Sequence, residues 1–393
     1  MKNPLILLIL TVTFFSSCKK DKVEPQPTNP TTPTYYTFEG MIGTNDNSTV
    51  VTNDNNLTVC GNSNNNICLL KISKTGNQIW RKDFTAGNNT SASALVETSN
   101  QDLLIVGRTS RNYATSSWDV LLVKTNSAGD TLWTKTYGSN KEDYGYQIIK
   151  TNDSNYLISA ITYADSTSGF CDIYLLKVNS DGDTLWTKSY KDQDQEIPFH
   201  VIQTQNGEYL VTGTNEDNSQ PRGLYFLKVD ASGNKLWDKT IGAATWRWGY
   251  STLELSSGDL LTCGHHTSNG HSQVLLVKTD NAGNEYWEKE FGDANLSEES
   301  NSIKPNSDGT FTITGSSYDV TTTQDDIILL KVDQNGNQVW YKKFGGAASE
   351  WGVNLIKDSN GDNIITGTTY SYGTNASSGN IFMTKTDDSG NFK

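Results

Sequence analysis

The sequence predicts an all-β fold, and three observations support this prediction. Six times along the 393-residue chain, a Lys is followed five residues later by a Gly and four residues after that by a Trp. Each copy lies among short, alternating apolar stretches separated by polar, glycine-containing turns, a pattern typical of strands joined by hairpins. The composition is rich in Asn, Thr, Ser and Gly, which argues against long helices.

The copies recur every 50 to 54 residues, so the chain is built from repeats. They are Lys71/Gly76/Trp80, Lys124/Gly129/Trp133, Lys177/Gly182/Trp186, Lys228/Gly233/Trp237, Lys278/Gly283/Trp287, Lys331/Gly336/Trp340 and the incomplete Lys385/Gly390. Residues 200–242 divide into four strands, "HVIQTQ", "EYLVTG", "GLYFLKVD" and "KLWDKTIG". A repeated four-stranded sheet of this size is a propeller blade.

The two ends of the repeat array are complementary. The seventh Trp would fall at position 394, one residue past Lys393. A nearly constant interval separates each Trp from the end of the second strand in the next unit. Counting that interval back from Gly61, where the first such strand ends, gives Thr34. The segment "TYYTFEG" at 34–40 can therefore supply the outer strand of the last blade. We therefore predict a closed seven-bladed β-propeller over 34–393, because closure leaves no open sheet edge. An open solenoid would not need complementary ends.

The hairpin motif also resembles a known repeat. The segments "VNSDGDTLW" and "VDQNGNQVW" resemble the tryptophan-docking repeats of quinoprotein-like propellers, in which an Asp, a Gly and a Trp lock adjacent blades. That family includes quinone-dependent dehydrogenases and non-enzymatic outer-membrane lipoproteins. The place of each Gly in a hairpin turn predicts a positive φ, and we expect each large Trp to wedge between neighbouring sheets. The resemblance supports the same propeller fold.

The start of the chain predicts export and lipidation. Lys2 and an apolar run ending at Phe15 form a signal peptide over 1–17. Ser16-Ser17-Cys18 resembles a bacterial lipobox, so we expect Cys18 to carry a lipid and residues 18–33 to form a Pro/Thr-rich linker. This places the protein at the outer membrane or cell surface of a Gram-negative bacterium. The alternative is an ordinary secretory signal.

The net charge argues against one class of binding partner, and the cysteines allow one disulfide. The net charge of −13 disfavours nucleic acid, whose phosphates need Lys and Arg. We expect a monomer attached to the membrane through its lipid, with no cofactor. Cys60 and Cys68 flank one predicted hairpin loop and suit either a cross-strand disulfide or two buried thiols.

A ligand site is predicted at one mouth of the central channel. Aligned blades place one set of mostly polar residues there, although any polar residue also suits a wet channel: Ser48, Ala94, Gln147, His200, Ser251, Ser302 and Asn354. Four positions earlier lies an acidic rim that could bind calcium or could simply be solvated: Thr44, Thr90, Asp143, Glu196, Arg247, Glu298 and Glu350.

Aromatic and histidine residues mark the same face. Tyr144, Trp246, Trp248 and Trp351 lie in loops before first strands, where they could stack on sugar rings, anchor a protein partner or pack against the next blade. His265, His266 and His271 suggest zinc or copper, or a variable loop. We therefore predict a binding or scaffold propeller for a glycan or protein. The alternative is an enzyme, either a quinoprotein-type oxidoreductase or a sugar-active hydrolase or lyase.

Overall fold

The computed structural model describes residues 34–42, 48–111, 117–163, 170–191, 194–216, 223–242, 246–268, 270–373 and 379–393. Seven antiparallel sheets form a ring, which confirms the predicted all-β, seven-bladed propeller. The predicted signal peptide, Cys18 with its linker, and Thr44 of the acidic rim lie outside these residues. Within these ranges, no helix has the length and hydropathy needed to span a bilayer.

The strands, in chain order, are β1 (Tyr36–Glu39), β2 (Met41–Ile42), β3 (Thr49–Val51), β4 (Leu57–Ser63), β5 (Asn66–Ile72), β6 (Gln78–Phe84), β7 (Asn88–Glu97), β8 (Leu103–Ser110), β9 (Trp118–Thr125), β10 (Thr131–Tyr137), β11 (Asp143–Lys150), β12 (Tyr156–Thr162), β13 (Asp172–Val178), β14 (Thr184–Tyr190), β15 (Gln195–Gln203), β16 (Tyr209–Glu216), β17 (Gly223–Val229), β18 (Lys235–Ile241), β19 (Trp246–Glu254), β20 (Leu260–Ser268), β21 (His271–Thr279), β22 (Glu285–Phe291), β23 (Ser297–Pro305), β24 (Phe311–Asp319), β25 (Gln324–Val332), β26 (Gln338–Phe344), β27 (Glu350–Lys357), β28 (Asn363–Thr369) and β29 (Asn380–Thr386).

Blades 2 to 6 each use four consecutive strands, from β7–β10 to β23–β26. In blade 1, β2 and β3 both pair with β4, followed by β5 and β6. Blade 7 consists of β27, β28 and β29 and is completed by β1, with Tyr36 opposite Met383. The N-terminal strand therefore closes the last blade, as the sequence predicted.

The hydrophobic core lies between adjacent blades. One cluster joins Leu104 and Val120 of blade 2 to Ile158 and Leu176 of blade 3, all fully buried. The second and third strands of each blade carry most of this core, because both of their faces are covered by neighbouring blades. The outer strands alternate between half-buried and exposed side chains, as expected for a sheet edge.

The Gly and Trp of the repeat form one contact that recurs from blade to blade. Gly129 has a φ of +82°, and a Cβ there would lie 2.9 Å from the Trp80 ring of the preceding blade. The same Trp-on-Gly contact joins Trp133/Gly182, Trp186/Gly233, Trp237/Gly283, Trp287/Gly336 and Trp340/Gly390. Glycine is required both for the turn and for the close approach of the Trp, which confirms both sequence expectations.

At the seam between blades 7 and 1, Tyr36 replaces the Trp. A Cβ at Gly76 would lie 2.2 Å from the Tyr36 ring. Pairing places Tyr36 two residues beyond the Trp register. Tyr35, the residue directly before β1, faces the opposite way from Tyr36. Its ring stacks on Tyr372 at 4.3 Å and meets Phe382 edge-on at 5.6 Å. The closing strand is therefore held by aromatic rings on both of its faces.

Each Lys of the repeat pairs with an acid in the turn between the first two strands. Lys177 shows the geometry, with its Nζ 3.1 Å from Asp153 and 2.6 Å from the Tyr209 hydroxyl of the next blade. The pairs are Lys71–Asp54, Lys124–Asp102, Lys177–Asp153, Lys228–Glu208, Lys278–Asp259, Lys331–Asp308 and Lys385–Asp358. The Lys is therefore a structural element of each blade.

Cys60 and Cys68 are buried free thiols, so the disulfide alternative is wrong. Pairing places Cys60 opposite Leu69 and Cys68 opposite Gly61. The two side chains consequently belong to different core clusters on opposite faces of the blade. Burial raises the pKa of the Cys68 thiol to about 12.

The Trp-on-Gly contact predicts a specific difference between two glycine substitutions. We expect Gly129→Ala to lower the free energy of unfolding by about 2–4 kcal/mol, because the methyl group meets both a positive φ and the Trp80 ring. Gly258→Ala is the matched control, since Gly258 has a φ of +84° with no atom within 4 Å of a built Cβ. It should cost only about 1–2 kcal/mol. Equal urea-unfolding midpoints for the two variants would contradict the contact.

Candidate functional site

The upper face of the ring is defined here as the face where innermost strands begin and second strands end. The first strands of blades 2 to 7, β7, β11, β15, β19, β23 and β27, each keep one unpaired edge and contact one another around the ring. They are therefore the innermost strands, and their free edges border the channel. Tyr144, Trp248 and Trp351 all lie near the start of such a strand and are half-buried. The structure therefore brings these predicted aromatic residues to one face.

A β-bulge interrupts each of these six innermost strands at the same place. In blade 3 the pairing register shifts between Gly145 and Gln147, so Tyr146 is the extra residue. The bulge residues, all half-buried between two buried neighbours, are Ser93, Tyr146, Phe199, Tyr250, Asn301 and Val353. The accessible position at the channel wall is therefore one residue before the predicted ring.

The predicted ring residues lie at one register, as expected, but their side chains are buried. Gln147 accepts a hydrogen bond from the Val201 amide, and the His200 Nδ1 accepts one from the Thr252 amide at 3.2 Å. The Asn354 Nδ2 donates to the Ser48 hydroxyl at 2.6 Å. Each of these bonds crosses to the next blade. Ser251 and Ser302 are fully buried as well. Ligand binding by this ring stays a prediction, and the observed contacts join blades.

Six ring side chains from blades 3 to 5 form a continuous series on this face. We call them the aromatic arc: Tyr146, Phe199, Tyr250, His265, Trp248 and Trp246. Ring centroids lie 6.2 Å apart between Tyr146 and Phe199 and 4.8 Å apart between Phe199 and Tyr250. His265 then stacks on Trp248 at 4.2 Å. Trp246 ends the arc with 43% of its surface exposed.

A cationic cluster adjoins the arc between blades 2 and 3. The Arg108 guanidinium lies 4.8 Å from the Trp118 ring centroid and 5.0 Å from that of Tyr144. Tyr163 packs edge-on against Tyr144 at 6.3 Å. We call Arg108, Trp118, Tyr144 and Tyr163 the Arg108 cluster. Tyr144 precedes Tyr146 by two residues on β11, so the cluster and the arc form one surface.

The acids of the predicted rim are buried and hydrogen-bonded to loops. Asp143 accepts from the Ser139 amide at 2.7 Å, and Glu298 accepts from the Asp293 amide at 2.8 Å. Glu350 accepts from the Gly346 amide at 2.6 Å and from the Thr369 hydroxyl at 2.8 Å. Burial raises the pKa of Asp143. These carboxylates therefore cap the loops that precede their own strands and do not form a solvated rim.

The other rim residues are engaged in similar contacts. Glu196 is buried and accepts from the Asn215 side chain at 3.1 Å. Arg247 forms an ion pair with Glu288 at 2.9 Å, and Thr90 is buried. Calcium binding by this set stays a prediction that its hydrogen bonding does not favour.

The three histidines of blade 5 do not converge. His265 and His266 are consecutive on β20, so their side chains project to opposite faces of the sheet. His265 lies 3.7 Å from Glu299, whereas His266 bonds to Glu290. His271 begins the next strand. In the described ranges, no group of three or more His, Cys, Asp or Glu side chains could hold a metal ion.

Several residues of this surface were not predicted. Tyr146, Phe199 and Tyr250 occupy equivalent positions in three consecutive blades, a signal that an alignment shifted by one residue would have shown. Arg108 and Trp118 carry no such signal. They become neighbours of each other because β8 pairs with β9, and neighbours of Tyr144 because blade 2 packs against blade 3.

Comparisons with known proteins support the fold. No family model and no curated protein matches this chain. A puromycin hydrolase aligns with a TM-score of 0.56 and 11% identity over 91% of this chain and 55% of its own. A protein from Lactobacillus plantarum aligns with a TM-score of 0.56 and 12% identity over 91% and 94%. The Neurospora crassa Pan2 WD40 domain gives 0.50 and 8% over 89% of both chains.

At such low identities these similarities concern the fold alone. The chain spans about half the length of the puromycin hydrolase that it matches.

The role of the rim acids can be tested with Glu350. We expect Glu350→Gln to lower the free energy of unfolding by about 1–3 kcal/mol, because the amide cannot satisfy every donor around this buried group. Calcium chloride should leave the melting temperature of the wild type unchanged. Glu285→Gln, on an exposed outer-strand position, is the matched control and should have little effect. A calcium-dependent rise in melting temperature that Glu350→Gln abolishes would instead indicate a cation site.

Proposed function

We propose that this protein is a lipid-anchored binding propeller of the cell envelope and that its upper face binds a glycan along the aromatic arc. The arc is the observation that carries the proposal. It joins rings from three consecutive blades, and every one of the intervening contacts is between side chains of the innermost or second strands. Rigid strands hold such rings in place more firmly than loops do.

The chemistry of the arc suits a sugar chain. Flat apolar faces of sugar rings pack against aromatic rings, and hydroxyl groups at the sugar edge need polar partners. Glu299 of blade 6 lies 3.7 Å from His265 of the arc, and Asn301 follows it by two residues on β23, so both can supply such partners. The Asn301 Nδ2 donates to the Gly352 carbonyl at 3.0 Å, which leaves its oxygen as an acceptor.

A protein ligand is the second candidate, since aromatic side chains are common anchors at protein interfaces. The half-buried position of Tyr146, Phe199 and Tyr250 at the channel wall favours a slender ligand over a broad protein surface. Among the described residues, nothing favours the oxidoreductase, hydrolase or lyase alternatives over binding.

Lipid anchoring rests on the sequence around Cys18. Cys18→Ala removes the thiol that would carry the lipid, so we expect the variant to move from the membrane fraction to the soluble fraction. Immunoblots of the separated fractions measure this change, and Cys68→Ala is a control with its thiol inside the propeller. An unchanged membrane fraction for Cys18→Ala would contradict the anchor.

Glycan binding can be tested with the purified propeller. A glycan array followed by titration calorimetry should identify an oligosaccharide ligand. Phe199→Ala and Tyr250→Ala should each weaken its binding about tenfold or more, because each removes a ring from the centre of the arc. Tyr286→Ala is the matched control, since Tyr286 is 59% exposed on an outer strand. Full binding by both arc variants, or binding of proteins but of no glycan, would contradict the proposal.

A further inference from the structure

We propose that Arg108 makes this site selective for acidic glycans, which present a carboxylate or sulfate group to its guanidinium. The inference rests on the proposed glycan-binding function and names the class of glycan. It depends on three features of Arg108, namely the lack of a carboxylate partner among the described residues, its contact with two aromatic rings and its place beside the aromatic arc.

The first feature is the absence of an ion pair. The other described arginines each contact a carboxylate: Arg81 contacts Asp83, Arg111 contacts Asp119 and Arg247 contacts Glu288. Arg108 is exposed, and across the described ranges its guanidinium has neither a carboxylate partner nor a hydrogen-bond acceptor. Among the described arginines, Arg108 therefore differs from the other three in lacking a carboxylate partner.

The second feature is contact with two aromatic rings. The centroids of Trp118 and Tyr144 lie 4.8 Å and 5.0 Å from the guanidinium carbon and 6.4 Å from each other, with the ring planes at 63°, so the two rings border the cation on adjacent sides. Neither ring supplies a carboxylate or carbonyl acceptor, so the N–H groups of the guanidinium stay available to donate. A carboxylate or sulfate can accept two parallel hydrogen bonds from that fork. The two rings therefore hold Arg108 ready for an acidic group.

The third feature is position. Tyr144, which contacts Arg108, lies two residues before Tyr146, the first ring of the arc. A glycan that lies along the arc can therefore reach Arg108 with an acidic substituent. The nearby Glu142 is engaged by the Tyr144 hydroxyl. Elsewhere the excess of acids disfavours nonspecific binding of anions, so binding of an acidic glycan would have to occur at such a site.

The experiment compares acidic and neutral forms of the same sugar chain. Titration calorimetry measures binding of hexagalacturonate against its methyl ester, and of short dextran sulfate against dextran. We expect the wild type to bind at least one acidic form about tenfold more tightly than its neutral partner, because charged hydrogen bonds exceed neutral ones in strength. The preferred pair identifies the group as carboxylate or sulfate.

Three variants assign the preference to Arg108. Arg108→Gln should abolish it while binding of the neutral form is unchanged, which also shows that the variant is folded. Arg108→Lys should keep only part of it, because an ammonium group lacks the planar fork. Lys74→Gln removes one positive charge from an exposed turn of blade 1 and should retain the full preference.

Two results would overturn the inference, and they are distinguishable. If both acidic forms bind no better than their neutral partners, or Arg108→Gln keeps the preference, selectivity by Arg108 is wrong and glycan binding stands. If neither these probes nor any glycan on an array binds, the proposed function fails as well.

Discussion

The contact between a Trp of one blade and a positive-φ Gly of the next is the constraint on which the rest of this structure depends. The glycine supplies the turn, and its missing side chain makes room for the indole. Two residues after the Trp, a Lys reinforces the contact, as Lys82 does with Asp130 at 2.8 Å. Aromatic packing, a turn conformation and an ion pair thus act at one interface. At the seam Tyr36 occupies the same space against Gly76, so closure of the ring uses the same contact.

The residues that hold the blades together are distinct from those that form the candidate site. The Trp residues, the buried Lys residues and the loop-capping acids all face neighbouring blades or their own turns. The bulge in each innermost strand adds one residue that has no place in the ladder, and its side chain lies at the channel wall. The identity of that residue differs between blades. Three consecutive blades carry Tyr146, Phe199 and Tyr250 there, and these rings form the centre of the candidate site.

The sequence predicted the blades and their contacts because the residues that form them repeat along the chain. The spacing of Lys, Gly and Trp and the complementary ends of the array were sufficient for the blade number and for closure by residues 34–40. The site was predicted less well. A period-2 reading of the innermost strands could not anticipate the bulge, so the predicted ring, Gln147 for example, lies one residue from the accessible position. Glu350 looked like an exposed rim acid because the loop amides that it caps are close only in the fold. Arg108 meets Tyr144 only through packing between blades.

The central claim is that one kind of contact holds every blade interface, including the seam. Native-state hydrogen exchange on Tyr36→Ala tests it most directly. Loss of the ring should increase exchange in β29, which pairs with β1, and also in the blade 1 turn around Gly76, which the ring covers. Exchange in the blade 4 turn around Gly233 should change much less. Faster exchange in β29 alone, with the Gly76 turn unaffected, would contradict the account, because β1 would then be held by its ladder without the contact between blades.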